Sequence, residues 1–160
     1  MQNKEERSLE YFHNYKHMSG PLVLGLIVIS LGLFAIPWIY TKNKEFINIE
    51  PDAPDPKRGV AVIMILPFIW GYSFFILREL VIKHPITIGI EILGWSFIIF
   101  ALLKYIFDFC KSFGKITETS GIIWFFLFFL FPITIPAMQV ELNSHFQKMQ
   151  IKKKYHRLYN

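Results

Sequence analysis

The sequence predicts an all-α membrane protein: four transmembrane helices in an antiparallel bundle, preceded by a short N-terminal interfacial helix. Three observations predict it. Of the 160 residues, 53% are hydrophobic and 18% aromatic, and the mean hydropathy is +0.38, more apolar than a soluble domain of this size requires. The charged residues gather at the termini and between apolar runs, which are left nearly free of charge, as a hydrocarbon solvent demands. The runs are also long enough: about nineteen residues at roughly 1.5 Å each cover a hydrocarbon core of about 30 Å.

Residues 1–20 form a cytoplasmic interfacial segment, in which Leu9, Phe12 and Tyr15 recur at helical spacing from Ser8 to His17. Gly20 and Pro21 separate it from the membrane domain, residues 21–140. The first span runs over 22–40 and ends at Trp38 and Tyr40, side chains suited to the membrane boundary. Thr41 to Arg58 is polar and holds Pro51, Pro54 and Pro56, so it reads as the one long loop. The second span covers 59–77 and the third 86–107, and the brief charged hinge between them makes them antiparallel neighbours. Asp108 to Ser120 reads as a second polar connection. The fourth span covers 121–140, with Pro132 and Pro136 bending its second half. Residues 141–160 form a cytoplasmic basic tail, whose Lys152, Lys153, Lys154 and Arg157 suit anionic lipid headgroups, at about 1 kcal/mol per basic residue near the surface.

Four crossings place both termini on one side. Termini and hinge together hold ten of the 17 Lys and Arg, leaving seven for the opposite side, so the positive-inside rule places termini and hinge in the cytoplasm of a bacterial membrane. In lipid, helices associate where small or polar residues line up. Gly25 and Gly32 in the first span, Gly71 in the second and Gly94 in the third are the expected helix-interface positions. The same faces bring Arg78, Glu91, Glu141 and His145 together at one depth near the cytoplasmic boundary. Glu91 is the informative member. It lies about five residues into its span, where an ionised carboxylate costs on the order of a few kcal/mol unless it is paired, hydrated or protonated. Arg78 is its expected partner, either as a structural ion pair or in proton or ion handling.

No catalytic constellation accompanies this frame. Phosphate-binding glycine loops, zinc-protease helices and nucleophile elbows are absent from the sequence. Cys110 is the single cysteine, so an intramolecular disulfide is excluded, and no Cys/His spacing calls for a metal. His13 and His17 stand one helical turn apart but suit a solvated interfacial face. A haem would want facing histidines inside the spans, and all five histidines lie outside them. No cofactor is therefore expected, and no nucleic-acid partner.

The run Leu31-Gly32-Leu33-Phe34-Ala35-Ile36-Pro37-Trp38-Ile39-Tyr40, followed by Thr41-Lys42-Asn43-Lys44-Glu45, resembles the signature of a bacterial family of small multi-span membrane proteins classed as a domain of unknown function. Met138-Gln139-Val140-Glu141-Leu142-Asn143 resembles that family's ending after its last span. The resemblance implies a compact helical membrane protein and supplies no catalytic residues. The reading that follows is a non-enzymatic accessory, scaffold or effector acting through its own oligomer or a membrane partner. An oligomeric channel or proton-coupled transporter using Glu91 is the alternative, and an enzyme acting on lipid or quinone the third.

Overall fold

The computed structural model describes residues 18–30, 33–80, 85–130 and 133–159, with backbone alone for 77–80, 85–87 and 152–159. The interfacial helix expected before Met18, and Gly32, lie outside these residues. The described chain is helical throughout, in six helices and without strands. Helix α1 is Gly20–Ile29 and α2 is Ala35–Ile49. Helix α3 starts as Pro56–Val60, passes through a π turn at Ala61–Ile65 and continues as Leu66–Leu80. Helix α4 is Pro85–Thr117, α5 is Gly121–Leu127 with a 3₁₀ turn at Phe128–Leu130, and α6 is Thr134–Tyr159. Two stretches, Pro56–Ile76 and Ile88–Thr117, are long and apolar enough to cross a membrane; four are not shown.

Local chemistry explains the boundaries. The Ser19 side chain accepts from the Leu22 N–H at 3.3 Å, with Pro21 in the first turn, and opens α1. Asp55 does the same for α3, accepting from the Lys57 N–H at 2.9 Å with Pro56 as the first helical residue. At Glu118 the backbone turns left-handed, φ 58°, which closes α4 as the Thr119 N–H donates to the Gly114 carbonyl at 2.9 Å. Helix α5 then folds back along α4 so closely that a Cβ on Gly114 would meet the Gly121 backbone nitrogen at 2.5 Å. Phe113 packs on Trp124, and Phe107 on Phe125, down the length of this contact.

Four sequence expectations are corrected here. The run 22–40 is not one helix, because the Ser30 hydroxyl donates to the Ile27 carbonyl at 3.2 Å and accepts from the Phe34 N–H at 2.9 Å, turning the chain between α1 and α2. The run 121–140 is likewise divided between α5 and α6, where the Thr134 hydroxyl donates to the Leu127 carbonyl. Residues 41–49 are helical, not loop, because Trp38, Ile39, Lys42, Asn43, Phe46 and Ile49 form one buried stripe at helical period. Residues 108–117 continue α4, burying Phe109, Phe113 and Ile116, so the connection shrinks to 118–120.

The directions of the helices follow from their contacts. Helix α3 runs antiparallel to α4, with Gly59 against Tyr105 and Trp70 against Gly94. Helix α2 runs with α4: Asn43 meets Tyr105, Phe46 stacks on Phe109 at 5.5 Å, and Glu50 meets Lys115. Helix α6 runs the same way, from Thr134 beside Leu127 to His145 within electrostatic reach of Glu118. Helix α1 opposes α6, since Asn143 binds the Met18 carbonyl while Gly20 lies on Pro136 and Val140. The α1–α2, α3–α4 and α5–α6 junctions therefore lie towards one end. Met18, residues 50–55 and 118–120 share the other end, called the base; the end where α3 meets α4 is the tip. The core sits in the base, built on Phe46, Phe109, Phe113, Met138, Leu142 and Phe146.

Candidate functional site: the polar network of the base

Polar side chains thread this core from helix to helix. The Trp38 indole N–H donates to Gln139 Oε1 at 3.0 Å, Gln139 Nε2 donates to Asn143 Oδ1 at 2.9 Å, and Asn143 Nδ2 donates to the Met18 carbonyl at 2.7 Å. The chain joins α2, α6 and the entry to α1. Gln139 is fully buried, so each bond replaces water that the site excludes. A second knot joins α2, α3 and α4: Asn43 Nδ2 donates to the Tyr105 hydroxyl, which lies on Gly59 where any Cβ would collide. Asn43 Oδ1 is buried and has no hydrogen-bond partner. Towards solvent, Lys115 bridges Glu50 at 2.9 Å and Asp52 at 3.2 Å, while buried Lys42 pairs with Glu45 at 2.7 Å.

These amides, indole and phenol hold helices in register. Among the described residues no three His, Cys, Asp or Glu gather as a metal site would require. Cys110, which falls in the second polar connection of the sequence reading, just past the third span, lies inside α4 and is fully buried.

The expected cluster of Arg78, Glu91, Glu141 and His145 does not assemble. Glu91 lies near the start of α4, half-buried between exposed Ile90 and Ile92, at the tip. Arg78 is in the last turn of α3, also at the tip; its side chain lies outside the description. His145 lies within electrostatic reach of Glu118, which is just past the far end of α4 and about 40 Å from Glu91 along that helix. Glu141, one turn before His145, belongs with the base. The depth expected for these residues rested on a fourth complete crossing over 121–140, and the turn before α6 carries Glu141 and His145 back to the base.

The glycines divide as well. Gly94 lies under the Trp70 ring, and Gly71 has Trp95 Cζ2 at 3.9 Å from its ideal Cβ, so each helix of the α3–α4 pair offers a glycine to the other's tryptophan. Gly25 meets nothing within 4 Å. Lys152, Lys153, Lys154 and Arg157 continue α6 as helix beyond the core; their side chains are not described. The residues the sequence reading passed over are Asn43, Gln139 and Asn143 as partners. Their signal was a polar residue on an otherwise apolar stripe, with Gln139 and Asn143 one helical turn apart.

His145 carries a pH dependence. Burial lowers its pKa below the usual 6.5, opposed by Glu118 and Glu141 and reinforced by Lys148. The folded state thus prefers the neutral imidazole and the unfolded state binds the extra proton. The stabilising contribution is present above pH 6.5 and is lost as pH falls through the lowered folded value. Thermal unfolding in detergent between pH 7.5 and 5 should show Tm falling on acidification, with a shallower fall in His145→Phe; equal slopes would remove His145 as the cause.

Comparisons with protein-family models, curated proteins and solved structures find no match to this chain. Its reading rests on its own residues.

Proposed function

We propose that the chain is an integral membrane protein of non-enzymatic role, an accessory or scaffold subunit that acts by presenting helix faces to a second copy or to a partner's helix. One observation carries this reading. The α3–α4 pair exposes large apolar side chains along both arms, Phe68, Tyr72 and Phe75 on one and Leu93, Phe97 and Phe100 on the other, where a soluble protein would place charge. The polar network supports it, since side chains spent on joining helices leave a rigid frame rather than a reaction centre. Gly25 adds an open, small position on α1 beside exposed Leu22, Val28 and Ile29, the kind of surface on which helices meet closely in lipid.

Gly25→Leu tests the association. With nothing within 4 Å to collide with, leucine there should leave the Tm of the monomer unchanged, while cross-linking in membranes loses its dimer or partner band. A wild-type chain that stays monomeric and uncross-linked in its native membrane would remove the reading.

A further inference from the structure

A single helix crosses the hydrocarbon core only if it is long enough and continues in one direction. Helix α1 has ten residues, and α5 with its 3₁₀ turn has the same length, Gly121–Leu130; each reaches about 15 Å, half a hydrocarbon core. Both are followed by a reversal rather than a continuation. We propose that α3 and α4 alone cross the bilayer, and that the α1–α2 and α5–α6 bends are re-entrant wedges whose tips sit among the acyl chains of the base-side leaflet. The inference rests on the membrane reading above and adds to it a topology and a lipid-binding surface.

Four independent features converge on the wedges. Their tips are apolar and exposed: Ile29 at 83% and Leu33 at 68% on one, Leu130 at 62% and Ile133 at 68% on the other. Side-chain hydroxyls bond the backbone that flanks each bend, Ser30 to the Ile27 carbonyl and the Phe34 N–H at the first and Thr134 to the Leu127 carbonyl at the second. Backbone outside regular helix needs such partners where water is absent.

Depth is the third feature. Both bends lie tipward, by about 12 Å along α2 and about 7 Å along α5, of the level where Asn43 of α2 meets Tyr105 and Phe125 of α5 meets Phe107. That is the level at which the exposed Lys104–Asp108 pair gives way to the apolar surface of α4, the expected boundary between headgroups and hydrocarbon. The fourth is charge. Every described Lys and Arg except Arg78 falls on the base half, from Lys42 to the C-terminal turns of α6. The ten-to-seven split of four crossings becomes strongly one-sided, and the positive-inside rule places the base in the cytoplasm and the α3–α4 connection opposite it.

The experiment is cysteine labelling of the full chain in sealed membrane vesicles with an impermeant maleimide. Buried Cys110 makes the wild type the unlabelled control. Asp52→Cys and Gln147→Cys, both at exposed positions, should label from the same side, and Lys83→Cys from the other. Asp52→Cys labelling from the side opposite Gln147→Cys would overturn the topology in favour of four crossings. A fluorophore on Ile133→Cys should be quenched by brominated acyl chains in the bilayer; an unquenched fluorophore would overturn the wedge. Alkaline extraction separates the two levels of failure. Protein released to the supernatant sinks the membrane reading itself, whereas retained protein with Asp52 and Gln147 on opposite sides sinks only the topology.

Discussion

Gly94→Leu is expected to separate α3 from α4. The ideal Cβ of residue 94 falls on the Trp70 indole, touching Cζ2, Cε2 and Cη2, so a leucine must displace a rigid bicyclic ring instead of a flexible side-chain end. Forcing volume into a packed contact costs about 1–3 kcal/mol, and here the contact is between two helices with few other neighbours on this half of the molecule. The displaced Trp70 already has a buried Nε1 without a hydrogen-bond partner, so no bond holds it against the push. Gly89→Leu on the same helix supplies the control, because nothing lies within 4 Å of its ideal Cβ. The expected result is a lowered Tm and a protease-sensitive hairpin for Gly94→Leu alone, with partial recovery when Trp70→Ala is added, as coupled neighbours should show. Equal stability of the two leucine variants would mean that the helices do not meet in this register.

That contact was the most legible part of the fold. A short charged hinge between two long apolar runs leaves antiparallel pairing as the economical arrangement, and the paired Trp70-Gly71 and Gly94-Trp95 dipeptides mark where the helices touch. The bends were far less legible. Hydropathy summed over a window is blind to direction, so Leu22 to Tyr40 reads as one run although the chain turns at the Ser30 hydroxyl. Pro132 and Pro136 did announce a bend in the fourth run, but not that the chain would turn back to the base. Segments rich in charge were read as connections for the same reason. Lys42 and Asn43 raise polarity without disturbing the helical period of Trp38, Ile39, Phe46 and Ile49, and the period carried the information.

The candidate site shows the same dependence. Glu91 and Arg78 were placed at one boundary by their position along straight helices, and both lie at the tip. Glu141 and His145 were assigned depth by counting through a helix that bends. The network actually formed, Trp38–Gln139–Asn143, joins residues 101 positions apart in sequence at its first bond, a pairing that periodicity within one helix cannot reveal.

Gln139→Leu should be the most damaging change in the base. Leucine approximates the volume, so packing survives while the polar chain is cut at its centre. The buried Trp38 indole N–H loses its acceptor, and the part-buried Asn143 Oδ1 loses the bond from Gln139 Nε2. A buried donor left unsatisfied costs about 1–3 kcal/mol, so the stranded indole N–H alone is a sizeable share of the stability of an ordinary domain. Gln139→Glu, ionised, keeps an acceptor for Trp38 but loses the N–H donated to Asn143 and buries a charge, so it should not rescue. Pairing Gln139→Leu with Trp38→Phe removes one orphan by removing its donor, and the double variant should be less destabilised than the sum of the singles. The readout is Tm in detergent together with proteolysis at the α1 entry, where Asn143 holds the Met18 carbonyl. If the effects simply add, Trp38 and Gln139 contribute separately, and the chain from α2 through α6 to α1 is not what roots the two bends on the base.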